Sequence, residues 1–329
     1  MIILLLTWSH EIKQEFQWLE FYAGVGRLTT MMHASEYRSA RFDLLDNDQP
    51  SYRKSNFMDL THSSGYALAI LFLLRADPNG FASHFGVKCS SFSKMNVGTS
   101  QRSACAPVGH TPYKSVALAN KLLERTCGLI LLVTALGGAW SVEQPNGSLL
   151  EFYPLWRETI QHIFECGHEF SVQQVRWWMA HYSSRTAKRH YLYANTPAVL
   201  KLDKGKLVGW KNKDSKVKSA VKYVDGSGKQ RYKGTEHLRA TEIYPAPFAR
   251  AVVDIAEEMK KTATGQPELP RDGELPSAFE TFRAPEWPVS DLWGSADFIP
   301  VYNYLRRYKK LVVPDEWLPL MPKKLDDLV

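Results

Sequence analysis

Hydrophobic and polar positions along this chain switch repeatedly between a short-strand pattern and a helical one. Phe16–Tyr22 is a largely aromatic, apolar run that ends in Ala23-Gly24-Val25-Gly26, and Arg27–Ala34 follows with helical spacing. That reads as strand, glycine turn, helix. Ser39–Leu45 predicts a second strand, Tyr66–Arg75 a helix, and Asp77-Pro78-Asn79-Gly80 a turn leading into a strand at Phe81–Val87. Val116–Leu136 has helical spacing up to Gly137-Gly138, and Trp140–Val142 predicts a strand running into Glu143-Gln144-Pro145. Leu150–Cys166 predicts a helix interrupted near Pro154. Gln173–Met179 and His190–Ala194 read as paired strands, and Ile243–Lys261 as a closing helix.

Strands that alternate with helices imply an α/β fold with a mainly parallel sheet. Such sheets take ligands in the crevice beyond the strand C-termini. Glu20, Asp43, Asp59, Cys89 and Glu143 fall at the expected strand ends, so one cleft is expected to gather them.

Composition narrows the class. At 329 residues, 44% hydrophobic and 23% charged, the chain can bury a full core. Its four cysteines form no close pairs and no CxxC, which argues against a disulfide scaffold or structural zinc. The thiols are therefore expected to be reduced and the protein intracellular: nuclear in a eukaryote, cytoplasmic otherwise. Met1–Trp8 and Leu129–Leu136 are too short for a membrane span, so no membrane association is expected. A monomer is expected.

The net charge of +7 is concentrated. Lys201–Lys233 holds 11 Lys and Arg against three Asp, with Trp210, Tyr223 and Tyr232 interleaved. Cations mixed with aromatics suit a nucleic-acid backbone whose bases are free to stack. Lys204, Lys206, Trp210, Lys211, Lys213, Lys216 and Lys218 are the candidate contacts; a solvated, flexible insertion is the plainer alternative. Nine of the 18 prolines follow Lys260 and forbid long helices there, which predicts an extended, aromatic strap.

Three stretches carry candidate chemistry. The Gly24–Gly26 turn allows close approach of a ligand to backbone, although it is neither GxGxxG nor a P-loop. Carboxylates such as Asp43 and Asp59 suit ribose hydroxyls and an adenine amine. Cys89, in Gly86-Val87-Lys88-Cys89-Ser90-Ser91-Phe92-Ser93, leaves a buried strand beside a lysine that is expected to lower its pKa, as a nucleophile requires. Glu143, stiffened by Pro145, is placed to donate a proton or hydrogen-bond a heterocycle.

Together these segments resemble the S-adenosylmethionine-dependent cytosine C5 methyltransferases. LEFYAGVGRLT (Leu19–Thr29) is similar to their cofactor turn, and Asp43 and Asp59 fall at the next cofactor motifs. CSSFS (Cys89–Ser93) resembles the nucleophile motif and VEQP (Val142–Pro145) the glutamate motif. Arg176–Asn195 and Ile243–Asp254 resemble the late arginine strand and the final helix. The likeness covers about residues 16–260 in the family's order. Val87-Lys88 stands where the family has two prolines, Gln144 where it has Asn, and Arg189 alone survives of the late arginine pair.

The resemblance implies a Rossmann-like methyltransferase fold and S-adenosylmethionine as cofactor. It implies DNA as partner, with RNA as the alternative. A catalytically degenerate nucleic-acid-binding relative is the other reading. Cys89, Glu143 and Arg189 would be catalytic, and Glu20, Phe21, Ala23, Gly24, Gly26, Asp43 and Asp59 would bind the cofactor. The implied division is an N-terminal extension (1–15), a catalytic core (16–200), a short basic insertion (201–240), a closing helix of the core (241–261) and the C-terminal strap (262–329).

Overall fold

Two runs of the chain, Trp18–Phe21 (β1) and Ala82–Phe85 (β3), are buried at all four positions. Such strands need cover on both faces. The computed structural model describes residues 13–44, 58–166, 171–208, 220–228, 230–235, 238 and 241–264. The strap beyond residue 264, most of the N-terminal extension, and Trp210, Lys211, Lys213, Lys216 and Lys218 lie outside the described residues.

The remaining elements are α1 (Arg27–Ala34), β2 (Ser39–Phe42), α2 (Ser63–Leu74), α3 (Lys114–Ala135), β4 (Ala139–Pro145), α4 (Pro154–Cys166), β5 (Gln173–Trp178), β6 (Arg189–Ala194), β7 (Ala220–Val224), β8 (Gln230–Gly234) and α5 (Ala246–Lys261). Six strands form one sheet in the order β2-β1-β3-β4-β6-β5. Neighbours are parallel from β2 to β4, and β6 runs antiparallel to both β4 and β5. The expected α/β, Rossmann-like sheet is therefore present. Strands β7 and β8 form a separate hairpin about the expected Asp225–Gly228 turn.

Side-chain alternation divides the sheet between two cores. Leu19, Phe21, Phe85, Trp140 and Val142 point toward α2, α3 and α4. Trp18, Ala82, Ala139, Trp177 and Leu192 point toward α1 and α5. The second face also carries Glu20, His84, Ser141, Glu143 and His190, each buried. A row of polar groups thus crosses the sheet beneath α5. Trp177 stacks on Phe248 of α5 at 5.4 Å and on His190 at 5.7 Å, filling the space beside that row. Among the described residues no helix is long and apolar enough to cross a membrane.

Two boundaries differ from the sequence reading. Strand β4 runs to Pro145, because Ser141–Pro145 pairs with Ala194–His190, so Glu143 lies within a strand and not beyond one. Asp59 is at no strand end. It sits in the turn entering α2, where its Oδ1 accepts from the Thr61 N–H at 2.8 Å and the Thr61 hydroxyl at 2.6 Å.

The antiparallel end of the sheet is fastened by one fully buried side chain. Asn195 Oδ1 accepts from the Trp140 N–H at 2.7 Å, and its Nδ2 donates to the carbonyls of Gly138 and Thr264 at 3.0 and 2.9 Å. Asn195→Ala orphans those backbone groups, and urea unfolding is expected to report a loss of about 3 kcal/mol. A loss under about 0.5 kcal/mol would mean that water replaces the amide without cost.

Candidate active site

The Gly24–Gly26 turn is built by local geometry. Tyr22, Gly24 and Gly26 all take positive φ, at 58°, 55° and 66°. A Cβ on Gly26 would come within 2.7 Å of the Arg41 side chain, whereas one on Gly24 would meet nothing within 4 Å. The turn is thus packed on one side and open on the other. Asp43, just past β2, accepts from the Gly24 N–H at 2.9 Å and is half-buried, so its carboxylate borders the open side.

Two of the expected cofactor residues face elsewhere. Glu20 accepts from the Thr29 N–H at 2.7 Å and the Thr29 hydroxyl at 2.6 Å, tying β1 to the first turn of α1. Burial raises its pKa to about 7, although the Thr29 donors pull the other way. Phe21 points into the opposite core and stacks on Phe85 at 4.8 Å. Ala23 is half-buried within the turn.

Cys89, in the loop after β3, and Glu143, within β4, lie near enough for the carboxylate to act electrostatically on the thiol. Gln144, fully buried, donates from Nε2 to the Val87 carbonyl, two residues before Cys89, and accepts from Ser148 at 2.9 Å. The Leu149 N–H donates to Phe92 O at 2.8 Å. These bonds sew the segment after β3 to the exit of β4. Arg102 holds the far side of the same loop. Its buried guanidinium donates to Ser91 Oγ at 2.9 Å, Asn120 Oδ1 at 2.7 Å and Val108 O at 3.1 Å, and lies 4.1 Å from the Phe92 ring centre. Burial pulls its pKa down to about 10.

Burial also raises the Cys89 thiol; Lys188 counters this, while Glu143 and Glu242 add to it. The expected lysine, Lys88, is exposed and is not among these influences. The resting group is a thiol, and the cation acting on it comes from Lys188, just before β6.

Glu143 anchors the polar row. Its Oε1 meets His190 Nδ1, and its Oε2 accepts from the Tyr244 hydroxyl at 3.0 Å. His84 Nε2 lies 3.1 Å from that hydroxyl, and His84 Nδ1 lies 2.9 Å from Ser141 Oγ. Tyr244 has one proton to give and gives it to the carboxylate, so His84 must donate from Nε2 and accept from Ser141. Burial lowers His84 to about pKa 4, which keeps the ring neutral. Burial alone would raise Glu143, but His190 first and then Lys188 hold it below the usual carboxylate value. The carboxylate is therefore ionised.

Arg189 is not part of this group. It is exposed, stacks over Trp178 at 5.3 Å, and projects from β6 on the face opposite its neighbour His190. His190, its neighbour on β6, is the residue of that strand whose side chain meets Glu143. His84, His190, Lys188, Tyr244 and Arg102 were not singled out in the sequence. The His within the short, buried ASHF strand was the one local signal, and the others depend on contacts between distant segments. Lys204 and Lys206 are exposed, with Lys204 lying 4.2 Å over the Tyr182 ring. Among the described residues no group of three or more His, Cys, Asp or Glu could hold a metal ion.

No protein-family model matches this sequence, and no curated protein matches it. Among solved structures, the Dnmt2 methyltransferase of S. pombe is similar at 12% identity and a TM-score of 0.33. The match covers 60% of this chain and 57% of that protein, so the chain spans little more than half its length. The six-stranded sheet, with one reversed strand, is an α/β, Rossmann-like arrangement.

Thiol chemistry checks the electrostatics directly. Alkylation of Cys89 by iodoacetamide, followed by peptide mass spectrometry, is expected to accelerate with pH beyond the range of an ordinary thiol. Lys188→Ala removes the stabilising cation and should slow alkylation several-fold at fixed pH, and Glu242→Gln should speed it. Equal rates in all three proteins would contradict the assignment.

Proposed function

We propose that this protein is an S-adenosylmethionine-dependent methyltransferase acting on C5 of cytosine in DNA, with Cys89 as nucleophile and RNA as the alternative polymer. The observation that carries the reading is the electrostatic neighbourhood shared by Cys89 just after β3, Glu143 within β4 and Lys188 just before β6.

The glycine turn fits the cofactor: space opens over Gly24, and the half-buried Asp43 stands at the next strand end. Gly24 and Ala23 would let a nucleoside-bearing ligand approach backbone, and Asp43 would accept from ribose hydroxyls. S-adenosylmethionine, when bound, supplies an electrophilic methyl group.

The chain's own residues would do the rest. Cytosine C5 is a weak nucleophile, and addition of the Cys89 thiolate at C6 makes it enamine-like. Lys188 favours that thiolate. Glu143, fixed by His190 and Tyr244, would accept from the exocyclic amine through one oxygen and, once protonated from solvent, donate to N3 through the other as negative charge moves onto the ring. Once C5 is methylated, a water molecule would take the C5 proton, the C–H electron pair would re-form the C5–C6 double bond, and the C6–S bond would break to release the Cys89 thiolate. The cytosine must first be swung out of its stack, at a cost of a few kcal/mol; the basic segment after residue 201 supplies phosphate contacts that offset it.

A second reading has its own support. Burial holds Cys89 as a thiol, and both oxygens of Glu143 already have partners. Those facts suit a degenerate relative that binds nucleic acid and cofactor without turnover. Incubation with tritiated S-adenosylmethionine and DNA or RNA separates the two. Active protein should label the polymer, and Cys89→Ala should abolish label while leaving cofactor affinity unchanged. Glu143→Gln should lower transfer by about 10²–10³-fold. Cofactor binding with no transfer to either polymer would establish the second reading instead.

A further inference from the structure

A cavity of about 660 Å³ opens on the other face of β6 from Glu143, lined by Arg176, Trp178, Arg189, Asp203, Lys206 and Leu207. Its size suits a ligand as large as a nucleotide. The cations differ in how committed they are. Arg176 already meets Glu151 at 3.3 Å and Asn146 Oδ1 at 2.7 Å, and lies over the Tyr191 ring. Arg189 and Lys206 have no carboxylate partner among the described residues. Asp203, the one acid of the lining, is engaged with the Gly205 N–H at 2.9 Å.

Arg189 is already ordered. Its guanidinium lies over the Trp178 indole, which leaves the planar fork of N–H donors free at the cavity mouth. Arginine pre-stacked on an aromatic ring is suited to a phosphate, and an indole with the apolar Leu207 beside it is suited to a flat base. The cavity is also tied to the candidate active site. The Asn146 N–H donates to Arg189 O at 2.9 Å, and Asn146 is three residues beyond Glu143. Beyond Leu207 the sequence goes on to Trp210, Lys211 and Lys213.

We propose that this cavity is a subsite for one nucleotide of a single-stranded segment. Arg189 and Lys206 hold its phosphate, and Trp178 with Leu207 receives its base. The proposal rests on the reading above in that the polymer carrying the reacting cytosine also supplies this nucleotide. An unpaired strand is required, because a paired base cannot turn its flat face to Trp178. This gives Arg189 a part in holding the polymer and none in the chemistry at Glu143.

Fluorescence anisotropy with short unstructured oligonucleotides, deoxy and ribo, tests it across a salt series with the full chain. Arg189→Ala and Lys206→Ala should each make the slope of log K against log salt shallower by about 0.7, the share of one lost contact to a single strand. Trp178→Ala should weaken binding about tenfold with the slope unchanged. Lys206 is exposed, so its variant keeps the test decisive if Trp178→Ala folds poorly. Binding of either sugar form with these slopes supports the subsite; unaltered slopes, or binding of duplex alone, overturn it. The tritium assay keeps the two proposals apart. Strand binding with these slopes but no methyl transfer sinks the function and leaves the subsite, and transfer with unaltered slopes does the reverse.

Discussion

One buried carboxylate sets the terms for half of this molecule. Glu143 is ionised within the sheet, under α5, and a charge there costs several kcal/mol unless donors surround it. His190 supplies one from β6, and Tyr244 supplies another from the turn entering α5. Tyr244 in turn needs a donor for its own oxygen, which neutral His84 provides from β3, oriented by Ser141 of β4. The antiparallel pairing of β6 with β4 and the docking of α5 are therefore more than packing. Both are needed to keep the carboxylate solvated by protein.

The same economy governs the loop that carries Cys89. Irregular chain beside a core leaves backbone groups to satisfy. Gln144 takes the Val87 carbonyl from one side, and Arg102 takes carbonyl and hydroxyl oxygens from the other. A fixed loop places the thiol where Glu143 and Lys188 both act on it. Burial keeps it protonated, so any reaction there depends on a ligand or on Lys188 tipping the balance toward thiolate. Arg189 and Trp178, on the opposite face of β6, form a separate charged surface next to that site.

The sheet was legible because short strand-like runs rich in aromatic residues alternate with helical spacing, and a glycine turn separates the first strand from its helix. Cys89 and Glu143 stood out because reactive side chains at strand exits converge in any parallel sheet. Their partners were harder to read. His84 and Ser141 are ordinary residues until β3 and β4 pair, and Tyr244 is about a hundred residues from the oxygen it reaches. Arg189 and His190 differ by one position, which on a strand decides the face: His190 turns to Glu143, and Arg189 turns to the opposite side over Trp178. Asp59 was misplaced because an acidic residue before a helix reads like one after a strand, and its hydrogen bonds to Thr61 hold it in the turn that precedes α2. Arg102 lay in a polar stretch with no period at all.

The central claim is that Cys89 can add to a pyrimidine held against Glu143. An oligonucleotide containing 5-fluorocytosine, incubated with the protein and S-adenosylmethionine, tests it most directly, because fluorine at C5 blocks the final elimination. Mass spectrometry is expected to find a covalent adduct, mapped to the Cys89 peptide and missing in Cys89→Ala. Protein that binds both cofactor and oligonucleotide yet forms no adduct, or forms one through the exposed Cys105, would contradict the account.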